Sequence, residues 1–145
     1  MRKGRLLPTL MLLLFLAVPA SAADVLALQI SGAINPATDD LVLSAIQEAD
    51  GKGYQALILY LNTPGGGLEE TKAILDHISG SKIPVIGYVY PESATAWSAG
   101  TVILLGSDIA AMAPHAIIGS AQPVKLSPTG ETEPINDTKT TNAVV

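Results

Sequence analysis

The sequence predicts an α/β fold with a parallel sheet built from repeated βαβ units. Three observations carry that expectation. Ala56–Leu61 (ALILYL) and Pro84–Tyr90 (PVIGYVY) are continuous apolar runs. Such runs suit strands covered on both faces, as in a parallel sheet. Between them, Leu68, Thr71, Ile74, Leu75 and Ile78 recur at helical spacing. Finally, 48% of the 145 residues are hydrophobic and 14% charged, which excludes a disordered chain. Aromatics make up 4%, so the core is built from aliphatic side chains. The length suits one domain.

The N-terminus opens on a basic segment, Arg2, Lys3 and Arg5, followed by the apolar stretch Leu6–Val18. Pro19 breaks any helix, and Ala20-Ser21-Ala22 is an A-x-A cleavage pattern. Residues 1–22 therefore read as a signal peptide of bacterial style, with Ala23 as the new N-terminus. An uncleaved anchor would need about 20 apolar residues. The run reaches that length only by including Pro8, Thr9, Pro19 and Ser21. Residues 23–145 are expected to be the exported domain.

Val25–Ile30 (VLALQI) reads as the first strand. Asn35 is a suitable N-cap, with Pro36 at the first helical position. Leu41, Val42, Ala45, Ile46 and Ala49 then share one helical face, and Gly51 and Gly53 end the helix. After the strand at Ala56–Leu61 comes the turn Asn62-Thr63-Pro64-Gly65-Gly66-Gly67, then a helix closed by Gly80. Pro84–Tyr90 is the next strand. Ser93–Gly106 is rich in small residues and reads as one helix. Ile109–Met112 is a short strand, and Ile117-Ile118 starts another. Residues 123–137 are polar, with Pro123, Pro128, Gly130 and Pro134, and read as an exposed loop. Thr138–Val145 resembles the opening of a helix, so the chain reads as a piece of a longer protein. Strands alternating with helices imply right-handed βαβ crossovers.

Composition also narrows function. Three of the eight basic residues lie in the first five positions, and all thirteen acids lie from Asp24 onward. Nucleic-acid binding needs clustered Lys and Arg, so it is excluded. The absence of cysteine rules out disulfides, thiolate metal sites and a thiol nucleophile. His77 and His115 lack metal-site spacing, so neither metal nor other cofactor is expected.

Four features can carry chemistry. The run Pro64-Gly65-Gly66-Gly67 lies between a buried strand and a helix. Glycines there let backbone N–H groups approach a ligand as an oxyanion hole, or simply make a turn. No G-x-x-x-x-G-K-[ST] or G-x-G-x-x-G phosphate motif is present. Ser98 lies among small residues near a predicted helix start. It reads as a nucleophile served by the helix dipole and the Ala99 N–H, or as part of a close-packed helix. A serine needs a base, and His77, His115, Lys125 and Lys139 are the candidates. His77 is expected to face solvent, and His115 follows Pro114 at a strand end, from where it could reach Ser98. A lysine serves only where burial lowers its pKa toward neutrality. Finally, Asp39/Asp40 and Glu69/Glu70 fall in first helical turns, where acids complement the dipole, and are assigned to structure.

Together these residues resemble a known family. Leu61-Asn62-Thr63-Pro64-Gly65-Gly66-Gly67 is similar to the Pro-Gly-Gly turn of ClpP-class serine proteases. Ala96-Trp97-Ser98-Ala99-Gly100-Thr101 is similar to their nucleophile segment. Pro84-Val85-Ile86, Tyr88-Val89-Tyr90-Pro91, Ala111-Met112-Ala113-Pro114 and Ile118-Gly119-Ser120-Ala121 resemble the NfeD family, membrane-bound serine proteases also called stomatin operon partner proteins. The resemblance implies a ClpP/crotonase-like fold and a ClpP-like serine protease domain over residues 23–145, truncated at its C-terminal end. It implies Ser98 as nucleophile, Lys139 as base, the Gly66 and Ala99 N–H groups as oxyanion hole, and Gly65 and Gly67 as substrate-binding. Pro114–Pro123 matches the segment that carries the histidine in cytoplasmic ClpP, and Ala121 holds that position. His115 falls several residues before it and is not taken as the base. A Ser–Lys dyad is thus implied rather than a triad.

The resemblance further implies a hydrolase that cleaves hydrophobic segments of stomatin-like membrane proteins. It would work outside the cytoplasm, membrane-associated in the full-length protein, as a dimer or larger homo-oligomer. Two departures from the family stand out. The chain stops six residues after Lys139, and Trp97 replaces a commonly small residue, which would narrow the pocket. Two other classes share these features: a crotonase-like acyl-CoA enzyme and a non-catalytic membrane-protein assembly partner.

Overall fold

The computed structural model describes residues 24–122, 124–126 and 132–134. The expected signal peptide at 1–22 and the stretch Thr138–Val145, with Lys139 in it, lie outside the described residues.

Four strands form a parallel sheet: β1 (Val25–Ser31), β2 (Ala56–Asn62), β3 (Val85–Val89) and β5 (Ile109–Met112), in the order β1-β2-β3-β5. Three helices run between them: α1 (Pro36–Lys52), α2 (Leu68–Gly80) and α3 (Ala99–Leu105). Two short strands, β4 (Thr95–Trp97) and β6 (Ile117–Gly119), pair in parallel as a second sheet. The expected βαβ architecture and parallel sheet are present.

The alternation within the strands explains the core. Leu57, Leu59 and Leu61 point to one face of β2 and are fully buried. Beside them lie Val85 and Val89 of β3, Val42 and Ile46 of α1, Ile74 and Ile78 of α2, and Ile103 and Leu104 of α3. On β2 and β3, Tyr60 pairs with Tyr88, and Tyr90 completes a cluster with centroids 5.2 to 5.8 Å apart.

The start of α1 follows from its cap. The Thr38 N–H donates to Asn35 Oδ1 at 3.1 Å, and the Asn35 N–H donates to Thr38 Oγ1 at 3.4 Å. This reciprocal pair satisfies donors that the first helical turn leaves open. Asn35→Ala is expected to destabilise the fold by about 1 kcal/mol, measured as a lower denaturant midpoint at unchanged slope.

Four local expectations are corrected. Ser93–Gly106 is not one helix: Thr95–Trp97 is a strand, and α3 begins after Ser98. Tertiary pairing overrides the small-residue pattern, because Thr63 N–H donates to Thr95 O at 2.7 Å and Trp97 N–H donates to Thr63 O at 3.0 Å. The polar stretch 123–137 contains a ladder, β7 (Val124–Leu126) antiparallel to β8 (Thr132–Pro134), which its composition conceals. Gly51 lies inside α1, and Gly53 ends it. Leu41 is exposed, lying in a groove beside Leu26 and Leu28 at the β1 edge of the sheet, where no further strand pairs among the described residues. Among the described residues, no helix is long and apolar enough to cross a membrane.

Candidate active site

The site lies where β2 and β4 end side by side. Thr63, buried just after β2, bridges Ala96 of β4. Its Oγ1 accepts the Gly65 N–H at 3.0 Å, which turns the chain sharply at Gly65, φ 102°. A Cβ on Gly65 would stand 2.7 Å from Ser98 Cβ, so only glycine lets the turn meet that serine.

Gly66 is held from the other side. The Ile34 N–H donates to Gly65 O at 2.9 Å, and the Gly67 N–H donates to Ile34 O at 3.0 Å. In this parallel bridge Ile34 uses both its own backbone groups. The Gly66 N–H and C=O consequently point away from Ile34. A Cβ there would overlap Ile34 O and stand 2.6 Å from Ile34 N.

Ser98 occupies the junction of β4 and α3 at φ 50°, ψ −113°, a conformation that side-chain-bearing residues rarely adopt. Its N–H donates to Gly119 O at 2.8 Å, and its side chain makes no capping bond to α3. The side chain is partly exposed. A cleft of about 100 Å³ opens beside it, lined by Gly66, Ser98, Ala99, Leu68, Val102 and Ala121, with Thr71 and Val124 completing the wall. The Thr71 hydroxyl is engaged, donating to Gly67 O at 2.6 Å, so the wall beyond the backbone amides is mostly apolar.

The fold thus brings Ser98, Ala99, Gly65 and Gly66 together. Gly67 is adjacent, but its N–H is bonded to Ile34 and its carbonyl to Thr71, and it does not line the cleft. Lys139 lies outside the described residues, and Lys125 sits on β7. His115 is not near Ser98. It is 78% exposed, at φ 59°, with Nε2 3.8 Å from Glu92 Oε1. The early turn after Pro114 carries it away from the cleft.

His77 does not face open solvent. Its side chain is 25% exposed and Nε2 lies 3.1 Å from Asp39 Oδ1, across the packed α1–α2 pair. The ring N–H is not aligned on that oxygen, which has no hydrogen-bond partner among the described residues. Asp39 sits in the first turn of α1, and Glu69 and Glu70 in that of α2. Trp97 is exposed and does not line the cleft, so it does not narrow it. The Lys52 pKa is raised by a 2.7 Å hydrogen bond to Glu48 and by that carboxylate's charge, on the exposed end of α1 outside the cleft. Among the described residues, no group of three His, Asp or Glu is placed to hold a metal ion.

Val102 and Val124 line the cleft and were not singled out from sequence. Val124 belongs to a stretch that reads as loop. Thr101 reads as one more small helical residue, and only its burial, at 6% exposure, marks it.

This arrangement, a glycine turn facing a serine at a strand-to-helix junction beside a parallel sheet, defines a ClpP-like fold. The ClpP protease catalytic domain from Plasmodium falciparum is similar in fold, with a TM-score of 0.59 at 24% identity over 64% of this chain and 53% of that one. More narrowly, the chain belongs to the NfeD1b family: the N-terminal domain of NfeD1b matches residues 24–138. The chain is 43% identical over 121 residues to the membrane-bound protease PH1510 of Pyrococcus horikoshii, covering 83% of this chain and 27% of that relative's length. Two solved structures of the 1510-N membrane-bound stomatin-specific protease are similar at 40% identity over 85% of this chain. One is a lysine-to-alanine mutant in complex with a substrate peptide, with a TM-score of 0.76 over 57% of its length. The other is a serine-to-alanine mutant, with a TM-score of 0.77 over 59%.

Proposed function

We propose that this chain is the protease domain of an exported serine endopeptidase that cleaves hydrophobic segments of stomatin-like, membrane-associated proteins. The observation that carries the reading is Ser98, held at φ 50° on the rim of a cleft also lined by Gly66 and Ala99. In the proposed reaction, neutral Lys139 takes the proton from Ser98 Oγ as that oxygen attacks the scissile carbonyl. The N–H groups of Gly66 and Ala99 stabilise the tetrahedral oxyanion. The amine leaves with a proton returned by Lys139, and water then releases the acyl group from Ser98. The mostly apolar cleft wall suits an uncharged side chain next to the cleaved bond.

The relatives support this reading. The solved 1510-N protease is described as stomatin-specific and binds a substrate peptide. Its two mutants alter a lysine and a serine whose positions differ by 41, the interval that separates Ser98 from Lys139. Membrane association is part of the same proposal, since the Pyrococcus horikoshii relative is membrane-bound; a homo-oligomeric state is proposed with it on the family resemblance alone.

The test is hydrolysis of hydrophobic peptides by a protein starting at Ala23 and extended through its native continuation. Lys139→Ala is expected to lower kcat by at least about 10²-fold, the lower range for losing a general base. Full activity in Lys139→Ala would remove that residue from the mechanism. Inertness of the unmodified protein on every peptide would favour a non-catalytic assembly role.

A further inference from the structure

The side chain of Thr101, 6% exposed, joins three segments that meet at Ser98. Its hydroxyl donates to Ala96 O at 2.7 Å, at the centre of β4. The same oxygen accepts the Gly119 N–H at 2.9 Å, at the end of β6, and lies 3.0 Å from Gly119 O. Gly119 O in turn accepts the Ser98 N–H at 2.8 Å. One hydroxyl therefore ties the strand that leads into Ser98, the strand end that holds the Ser98 amide, and the first turn of α3.

Ser98 needs such support. Its backbone lies in a sparsely populated region that persists only where the surroundings over-determine it. Beyond Gly119, Ser120 also has positive φ (53°), and Ala121 lines the cleft. Whatever sets Gly119 thus sets both the serine and one cleft wall. We propose that Thr101 is a positioning residue that holds Ser98 and the Gly119–Ala121 wall in mutual register. The inference rests on the reading of Ser98 as nucleophile. Valine keeps the shape of threonine but offers no hydroxyl, so Ala96 O and the Gly119 N–H lose that shared partner and only the β4–β6 ladder holds the strand end. Serine keeps the hydroxyl.

The experiment compares unmodified protein, Ser98→Ala, Thr101→Val and Thr101→Ser in peptide hydrolysis, with amide hydrogen exchange at Ser98 and Gly119 followed by NMR. Thr101→Val is expected to lower kcat by about 10- to 100-fold through misplacement of the reacting oxygen. KM is expected to change much less, and Thr101→Ser to recover most of the loss. If cleavage depends on Ser98 yet Thr101→Val keeps the unmodified kcat, the positioning role is overturned and the protease reading stands. If Ser98→Ala cleaves as well as the unmodified protein, the protease reading falls and exchange decides the clamp alone. Protected Ser98 and Gly119 amides that exchange faster in Thr101→Val support it. A Gly119 amide exchanging at the open-chain rate in the unmodified protein overturns it. Where Thr101→Val does not fold, Thr101→Ala takes its place in the same comparison, and Ser98 and Gly119 amides that exchange in it as in the unmodified protein overturn the clamp.

Discussion

Ser98→Ala is expected to abolish peptide cleavage, lowering kcat by about 10⁴- to 10⁶-fold, the range seen when a catalytic serine is removed. The fold is expected to be nearly indifferent. The Ser98 side chain makes no capping bond to α3, and its backbone bond to Gly119 O survives the substitution. A partly exposed side chain without such partners costs within about 0.5 kcal/mol when shortened. The combination is what discriminates: hydrolysis lost, thermal midpoint retained. A Ser98→Ala protein that cleaves peptides at the unmodified rate would move the nucleophile elsewhere. One that unfolds would mean the hydroxyl has a structural partner after all.

Gly66→Ala is expected to strike stability and activity together. A single methyl there overlaps Ile34 O and crowds Ile34 N, both backbone atoms with no flexible end to move aside. Relief requires opening the bridge in which Ile34 bonds Gly65 and Gly67. Overpacking of this kind costs about 1–3 kcal/mol, visible as a lower denaturant midpoint. The Gly66 N–H would move with the bridge, and losing one oxyanion donor lowers kcat by about 10²- to 10³-fold. Added substrate does not rescue a donor that acts in the transition state, so kcat is expected to fall rather than KM to rise. Wild-type kcat in a folded Gly66→Ala protein would exclude that amide from the mechanism.

Much of this was legible in the residues. The runs at Ala56–Leu61 and Pro84–Tyr90 are strands β2 and β3, and the helical stripes of α1 and α2 are buried where Val42, Ala45, Ile46, Ile74 and Ile78 said they would be. The glycine turn and Ser98 were recognisable from their motifs. The misreadings share a cause. Leu41 fits the stripe of α1, but among the described residues the sheet stops at β1 and no further element covers it. His77 reads as a surface residue of α2, yet α1 lies against it and brings Asp39 within 3.1 Å.

The sequence by itself determined the α/β class, the succession of the main strands and helices, and the residue types available for chemistry. Those properties are local: a buried strand or a helix face repeats over several residues, and the repeat is visible without a partner. Only the tertiary structure decided that Thr95–Trp97 is a strand, that Gly66 and Ser98 share one cleft, that Ala121 and Val124 wall it, and that Thr101 joins β4 to β6. A three-residue strand has no period to read, and its hydrogen bonds go to Thr63 and to β6, distant in the chain. The cleft exists because βαβ crossovers return successive strand ends to one side of the sheet, where segments far apart in sequence become neighbours.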